Sequence, residues 1–316
     1  MRQMISQLRI ILNKTPIERY RRVLLAGIVL ALAGCASAPK PPVETPDAPV
    51  PVARVPPRVG LALGGGAARG FAHVGVLQVL EEAGIKPDLV VGTSAGSLVA
   101  ALYASGRNAQ QLQQVATAMD EAAFADWTLP LFNRGVLRGE ALARYVNAQV
   151  NHRLIENMAV PLGIVATDLN TGQGVLFRRG DTGTAVRASS AVPAVFLPVK
   201  IGTQEYVDGG LVSPVPVRYA RQMGAEVVLA VDISSAPEGN PSSDTLQVLL
   251  QTFAIMGKSI NSWELKEADV VVRPALVGMG SGDFANKKRA IDAGRAAMQA
   301  ALPALRAAME AKAHAP

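Results

Sequence analysis

Apolar residues in this chain fall into short unbroken blocks, separated by longer stretches that repeat at helical spacing. Val59-Gly60-Leu61-Ala62-Leu63 is one such block, the pattern of a strand buried on both faces of a parallel sheet. After it Val74, Leu77 and Leu80 recur at helical spacing, widened by Val76 and Val79, with Gln78, Glu81 and Glu82 outside the stripe. Gly84 suits a C-cap and Pro87 blocks continuation. Leu89-Val90-Val91 is the next block, and an Ala/Leu-rich segment from Ser97 to Ser105 follows. Strand, helix, strand, helix predicts two parallel strands joined by a right-handed crossover. Further strands are expected over Pro161 to Ala166, Glu226 to Val231 and Val270 to Val272, with a hairpin round Gly202 from Phe196–Ile201 and Gln204–Val207.

Helices are expected over Thr184 to Ala191 and Ala285 to Ala311. Residues 107–150 read as helix and loop, interrupted at Trp127-Thr128-Leu129-Pro130, with a new helix starting near Arg138-Gly139-Glu140. Residues 244–263 carry the stripe Leu246, Leu249, Leu250, Phe253, Ile255 and Met256. Core packing is the ordinary role for such a stripe; a lipid-facing lip is the rival. These elements describe an α/β fold with a mostly parallel central sheet.

The N-terminus stands apart from this pattern. Arg2, Arg9, Lys14, Arg19, Arg21 and Arg22 face only Glu18 before an apolar run from Val23 to Ala33, which ends Leu32-Ala33-Gly34-Cys35. A basic start, a short apolar run and small residues before a cut site describe an export signal. Its Leu-Ala-Gly-Cys box resembles a bacterial lipoprotein signal, which implies cleavage before Cys35 and lipid attachment to its sulfur. Ala36 after the cysteine resembles lipoproteins sent to the outer membrane, on its periplasmic face. The rival is an uncleaved anchor with a buried structural cysteine. Residues 35–58 are rich in Ala, Pro and Val, and eight prolines bias them to an extended tether. The expected division is 1–34 signal peptide, 35–58 lipidated tether and 59–316 catalytic domain.

That division changes the charge picture. The whole chain carries 31 Lys+Arg against 25 Asp+Glu, but residues 1–34 hold six of the former and one of the latter, so the remainder has a net charge of only +1. The basic balance belongs to the signal and gives no argument for nucleic-acid binding. A single cysteine excludes an intrachain disulfide.

The candidate chemistry sits in three glycine-rich turns. Gly92-Thr93-Ser94-Ala95-Gly96 lies between a strand and a helix, the setting in which Gly-x-Ser-x-Gly places a serine hydroxyl on a strained, exposed elbow. Gly64-Gly65-Gly66-Ala67-Ala68-Arg69-Gly70 leaves the preceding strand, and side-chain-poor backbone there can aim several N–H groups beside that hydroxyl. The spacing does not fit a dinucleotide fingerprint, and Phe71 stands where a P-loop needs Lys-Ser/Thr; a bland flexible turn is the remaining alternative. Asp208-Gly209-Gly210 ends the hairpin.

A serine needs a base. Of three histidines, His314 is in the tail, His152 is isolated, and His73 reads better as a helix-packing residue than as a site residue. A carboxylate acting directly is the economical base, and Asp208 is the best placed. Asp168, in a turn-rich sequence, suits a capping role better than a catalytic one. No His/Cys/Asp cluster has ligand spacing, so no metal or cofactor is implied.

Taken together and in order, the three turns resemble the signature blocks of patatin-like phospholipases, over about Val59 to Val217 and more faintly to Val231. The resemblance implies a three-layer α/β/α fold and hydrolysis of carboxylic esters of phospholipids or lysophospholipids by a Ser-Asp dyad. By position Ser94 would be the nucleophile and Asp208 the base, with Gly65, Gly66, Ala67 and Arg69 forming the oxyanion hole. Gly64, Gly70, Gly92, Gly96, Gly209 and Gly210 would support them. One departure stands out: where the family usually has a third glycine, this chain has Ala67, a strained choice if that position needs positive φ. The alternatives are a non-catalytic lipid- or partner-binding lipoprotein on the same fold, and a thioesterase or general esterase.

Overall fold

The computed structural model describes residues 54–120, 126, 134–238, 243–280 and 282–314. The expected signal, Cys35, most of the tether and the Trp127-Thr128-Leu129-Pro130 interruption lie outside these residues.

Ten strands are described: β1 (Val59–Leu63), β2 (Leu89–Thr93), β3 (Gly135–Leu137), β4 (Leu162–Asp168), β5 (Gly174–Phe177), β6 (Ala194–Phe196), β7 (Val199–Ile201), β8 (Gln204–Asp208), β9 (Val227–Val231) and β10 (Val270–Val272). The α-helices are α1 (Phe71–Glu82), α2 (Ala95–Ala104), α3 (Ala109–Ala118), α4 (Glu140–Gln149), α5 (Thr182–Ser189), α6 (Val217–Gln222), α7 (Thr245–Glu264) and α8 (Lys287–Lys312). Side-chain caps set three of the starts. Asn108 opens α3 in a capping box with Gln111, Asp181 accepts from the Thr184 N–H at α5, and Asp244 accepts from the Gln247 N–H at α7.

Eight strands make one mixed sheet in the order β10-β9-β1-β2-β4-β8-β7, with β5 also on β4; β3 and β6 pair separately. Neighbours from β10 to β4 run parallel, whereas β5, β7 and β8 are antiparallel to their partners. Side chains alternate between two buried faces, as the unbroken apolar blocks require. Leu61, Leu63, Val90, Ile164 and Leu229 join residues of α1, α2, α3 and α8 in one core, while Ala62, Leu89, Val91, Val165 and Val228 pack with Val217, Tyr219 and Ala220 of α6 in another. The result is the expected three-layer α/β/α arrangement.

The expectation of core packing for the 244–263 stripe is corrected. Only Gly257, Asn261 and Glu264 of α7 are buried, and Leu246, Ile255 and Met256 are 42–54% exposed. Both faces of the sheet are already covered, and α7 instead lies over the edge where the strands leave for the glycine-rich turns. No described helix is long and apolar enough to cross a membrane.

Candidate active site

The site begins with two neighbouring strand ends. β1 and β2 pair with Leu63 opposite Gly92, so the loop after Leu63 and the elbow at Ser94 emerge side by side. Ser94 has φ 53° and ψ −124°, a strained conformation held by its surroundings. Its N–H donates to Ser189 Oγ at 2.8 Å, and Ser189 in turn donates to the Val165 carbonyl at 2.6 Å. Its carbonyl accepts from the Ser97 hydroxyl at 2.6 Å. The crossing is close: a Cβ on Gly96 would stand 2.1 Å from the Leu63 carbonyl oxygen, so no larger residue fits there.

Asp208 arrives from the opposite direction. In the ladder Thr93 pairs with Val165 and the next residue, Ala166, pairs with Asp208, which sets Asp208 level with Ser94 across β4. β8 runs away from the edge where Ser94 emerges, so it is the register against β4 that sets this height. The carboxylate is buried, its Oδ1 accepts from the Gly210 N–H at 2.7 Å, and it lines the same cleft as Ser94. Burial raises the Asp208 pKa from 3.8 to about 6, against the opposing pull of the Gly210 N–H and the Ser94 hydroxyl. A carboxylate in that range is ionised at neutral pH yet basic enough to accept a proton.

The glycine loop lies against the serine: a Cβ on Gly65 would stand 3.1 Å from Ser94 Cβ. The four residues expected to form the oxyanion hole do not contribute alike. The Gly65 N–H already donates to the Pro214 carbonyl at 2.9 Å, and the Arg69 N–H to the Gly66 carbonyl at 3.1 Å. The Arg69 guanidinium is likewise engaged, with Ile233 O at 2.9 Å, Ser235 Oγ at 3.0 Å and Met279 O at 3.4 Å. It clamps neighbouring loops over the site. Among the described residues the N–H groups of Gly66 and Ala67 have no partner, so of the four expected donors these two are free to meet an oxyanion. Ala67 has φ 50°, so the position does need the left-handed region, and alanine there is strained by about 1 kcal/mol.

The histidines play the minor roles expected. His73 is fully buried and its Nε2–H donates to the Gly64 carbonyl at 2.9 Å, bracing the loop; burial lowers its pKa to about 4, so it stays neutral. Neither His152 nor His314 lines the cleft around Ser94. Asp168 Oδ1 accepts from the N–H groups of Asn170 and Thr171, which makes it the turn residue the sequence suggested. Ser189 was not anticipated. No local pattern marks it, because its partner lies 95 residues away.

Two hollows meet at the serine. A cleft of about 380 Å³ is bordered by Arg69, Asp208, Ser234, Gln247 and Gln251. An apolar cavity of about 480 Å³ runs beside it, between α1, α2 and α3. Ala67, Ser94, Val192 and Leu250 line both. A separate, more open depression near Gly174, Arg218 and Tyr219 holds none of the three motifs.

Known proteins are similar to this chain in sequence and in fold. An uncharacterized NTE family protein of Mycobacterium tuberculosis is 35% identical over 201 residues, 60% of this chain and 52% of its own length. Patatin-like phospholipase domain-containing protein 6 of Mus musculus is 34% identical over 232 residues, 71% of this chain but 16% of its own length. The chain thus spans about half of the first relative and a small part of the second. The crystal structure of VipD from Legionella pneumophila superposes with a TM-score of 0.54 at 14% identity, covering 80% of this chain and 68% of VipD, a likeness of fold. The family model described as patatin-like phospholipase matches residues 61–221, which contain the glycine loop, Ser94 and Asp208 alike. On that match, over half of its length, the chain belongs to the patatin-like phospholipase family.

Proposed function

We propose that this protein hydrolyses lipid acyl esters, with Ser94 as nucleophile and Asp208 as its base. Asp208 takes the Ser94 proton as the hydroxyl oxygen attacks the ester carbonyl. The N–H groups of Gly66 and Ala67 hold the oxyanion. Asp208 then passes the proton to the departing alcohol. Water, deprotonated by the same carboxylate, releases the fatty acid and restores Ser94. The carrying observation is a strained serine set level with a buried carboxylate on one cleft, the carboxylate having a pKa near 6. Family membership and the phospholipase names of relatives support a phospholipid or lysophospholipid as substrate. The Leu-Ala-Gly-Cys box supports a further part of the proposal, anchoring through lipidated Cys35 at the cell envelope, close to such lipid.

The test is turnover of phospholipid and lysophospholipid by the purified protein, beside Ser94→Ala and Asp208→Asn. Each variant is expected to lose about a thousandfold or more in kcat. A fluorophosphonate should label native Ser94 and not the alanine variant. Undiminished turnover by Ser94→Ala would remove the mechanism.

A further inference from the structure

The apolar cavity beside Ser94 has a defined course. Ala95, Leu98, Val99 and Leu102 line it, spaced i, i+3, i+4 and i+7 on one face of α2. The cavity therefore follows that helix for about 10 Å away from the nucleophile, at 1.5 Å per residue. Across from this face, Leu112 and Ala116 of α3 form the inner wall. Leu102, Leu112 and Ala116 are all buried, so this end lies inside the fold. The companion cleft is mixed: Leu211, Pro214 and Phe253 line it, but Arg69, Ser234, Gln247 and Gln251 stand on its border, whereas among the described residues Ser94 and Ser190 are the only polar side chains along the cavity. Ser94 stands where the two meet.

We infer that the cavity along α2 holds the acyl chain of the ester while the companion cleft, with polar groups on its border, holds the alcohol side, and that Leu102, Leu112 and Ala116 set the acyl length accepted. This rests on the reading of Ser94 as nucleophile. An ester whose carbonyl carbon is at Ser94 Oγ has two substituents and two hollows to place them in. A hydrocarbon chain makes no hydrogen bonds and is favoured by apolar walls, whereas a glycerol or phosphate-bearing group would lose its hydration there without replacement. Each methylene moved from water into such walls is worth about fourfold in kcat/KM. Chain length should therefore raise kcat/KM until the inner wall is reached, and then stop doing so.

The test uses the full-length protein and p-nitrophenyl esters from acetate to palmitate, which vary only the acyl chain. Ala116→Phe, on α3 and away from Ser94, should cut kcat/KM for palmitate about tenfold or more and leave acetate within about twofold. Leu102→Ala should move the optimum to longer chains. Binding of cis-parinaric acid, followed by fluorescence, supplies a readout without turnover and should weaken in Ala116→Phe. Equal loss across all chain lengths, or no change in either variant, with parinaric binding unmoved, would overturn the inference while the hydrolase reading survives. Parinaric binding that Ala116→Phe weakens, with no ester turnover in the native protein, would overturn the hydrolase reading and keep the cavity as a fatty-acyl site.

Discussion

Replacing Asp208 with asparagine should make the protein more stable while making it inactive. The carboxylate is buried and its pKa in the fold is about 6, against 3.8 when unfolded. Between those values the native state holds a proton that the unfolded state has released, so stability falls as pH rises through this window. Above pH 6 the decrease is complete. A difference of roughly two pKa units is about 3 kcal/mol at 1.36 kcal/mol per unit. An asparagine side chain in its place would have the same shape, keep an oxygen to accept the Gly210 N–H, and carry no charge. The assay is urea unfolding of native protein and Asp208→Asn at pH 7.5 and at pH 4, compared at equal m-value. The variant should be more stable by about 3 kcal/mol at pH 7.5, and the gap should shrink towards zero at pH 4. A variant no more stable than native protein at pH 7.5, or a gap that ignores pH, would refute the claim that the fold holds this carboxylate at a cost.

Four further outcomes follow from the same geometry. The kcat/KM of the native enzyme should fall about tenfold per pH unit below about pH 6, as Asp208 becomes protonated and unable to accept the serine proton; a flat profile down to pH 5 would exclude it as the base. Ala67→Gly should raise stability by roughly 0.5–1 kcal/mol by relieving the positive φ, with activity retained, as thermal unfolding and ester turnover would report. Ser189→Ala leaves the Ser94 N–H without its partner; it should lower stability by about 1–3 kcal/mol in urea melts and reduce kcat more than it raises KM. Ile255→Ser and Met256→Ser, on the exposed side of α7, should each change stability by less than about 0.5 kcal/mol, where a core position would lose about 2–5 kcal/mol on truncation.

The order of elements was readable because both covered faces of the sheet leave unbroken apolar blocks, as in Val59 to Leu63, and because glycine and proline punctuate the crossovers. Ser94 and the glycine loop were readable for the same reason, since consecutive parallel strands must end side by side. Asp208 was readable as a candidate only. Its height beside Ser94 depends on pairing with Ala166, which is a long-range register and has no local signature. The division of labour in the glycine loop was hidden because the Gly65 N–H is taken by Pro214, in a segment far along the chain. The burial of α7 was misjudged because an apolar stripe reports that one face avoids water in many proteins, not whether a layer is available to receive it. Here both layers were already filled by α1, α2, α3, α6 and α8.

The carboxylate and the serine are carried by different parts of the sheet. Ser94 leaves β2, in the parallel centre; Asp208 ends β8, which is joined to that centre through β4 and flanked outside only by the three-residue β7. Outer strands open more readily than central ones. Partial loosening of this hairpin would withdraw the proton acceptor while leaving the elbow and its amides in place. On warming, the protein should therefore go silent at a temperature where most of its helices and strands still persist.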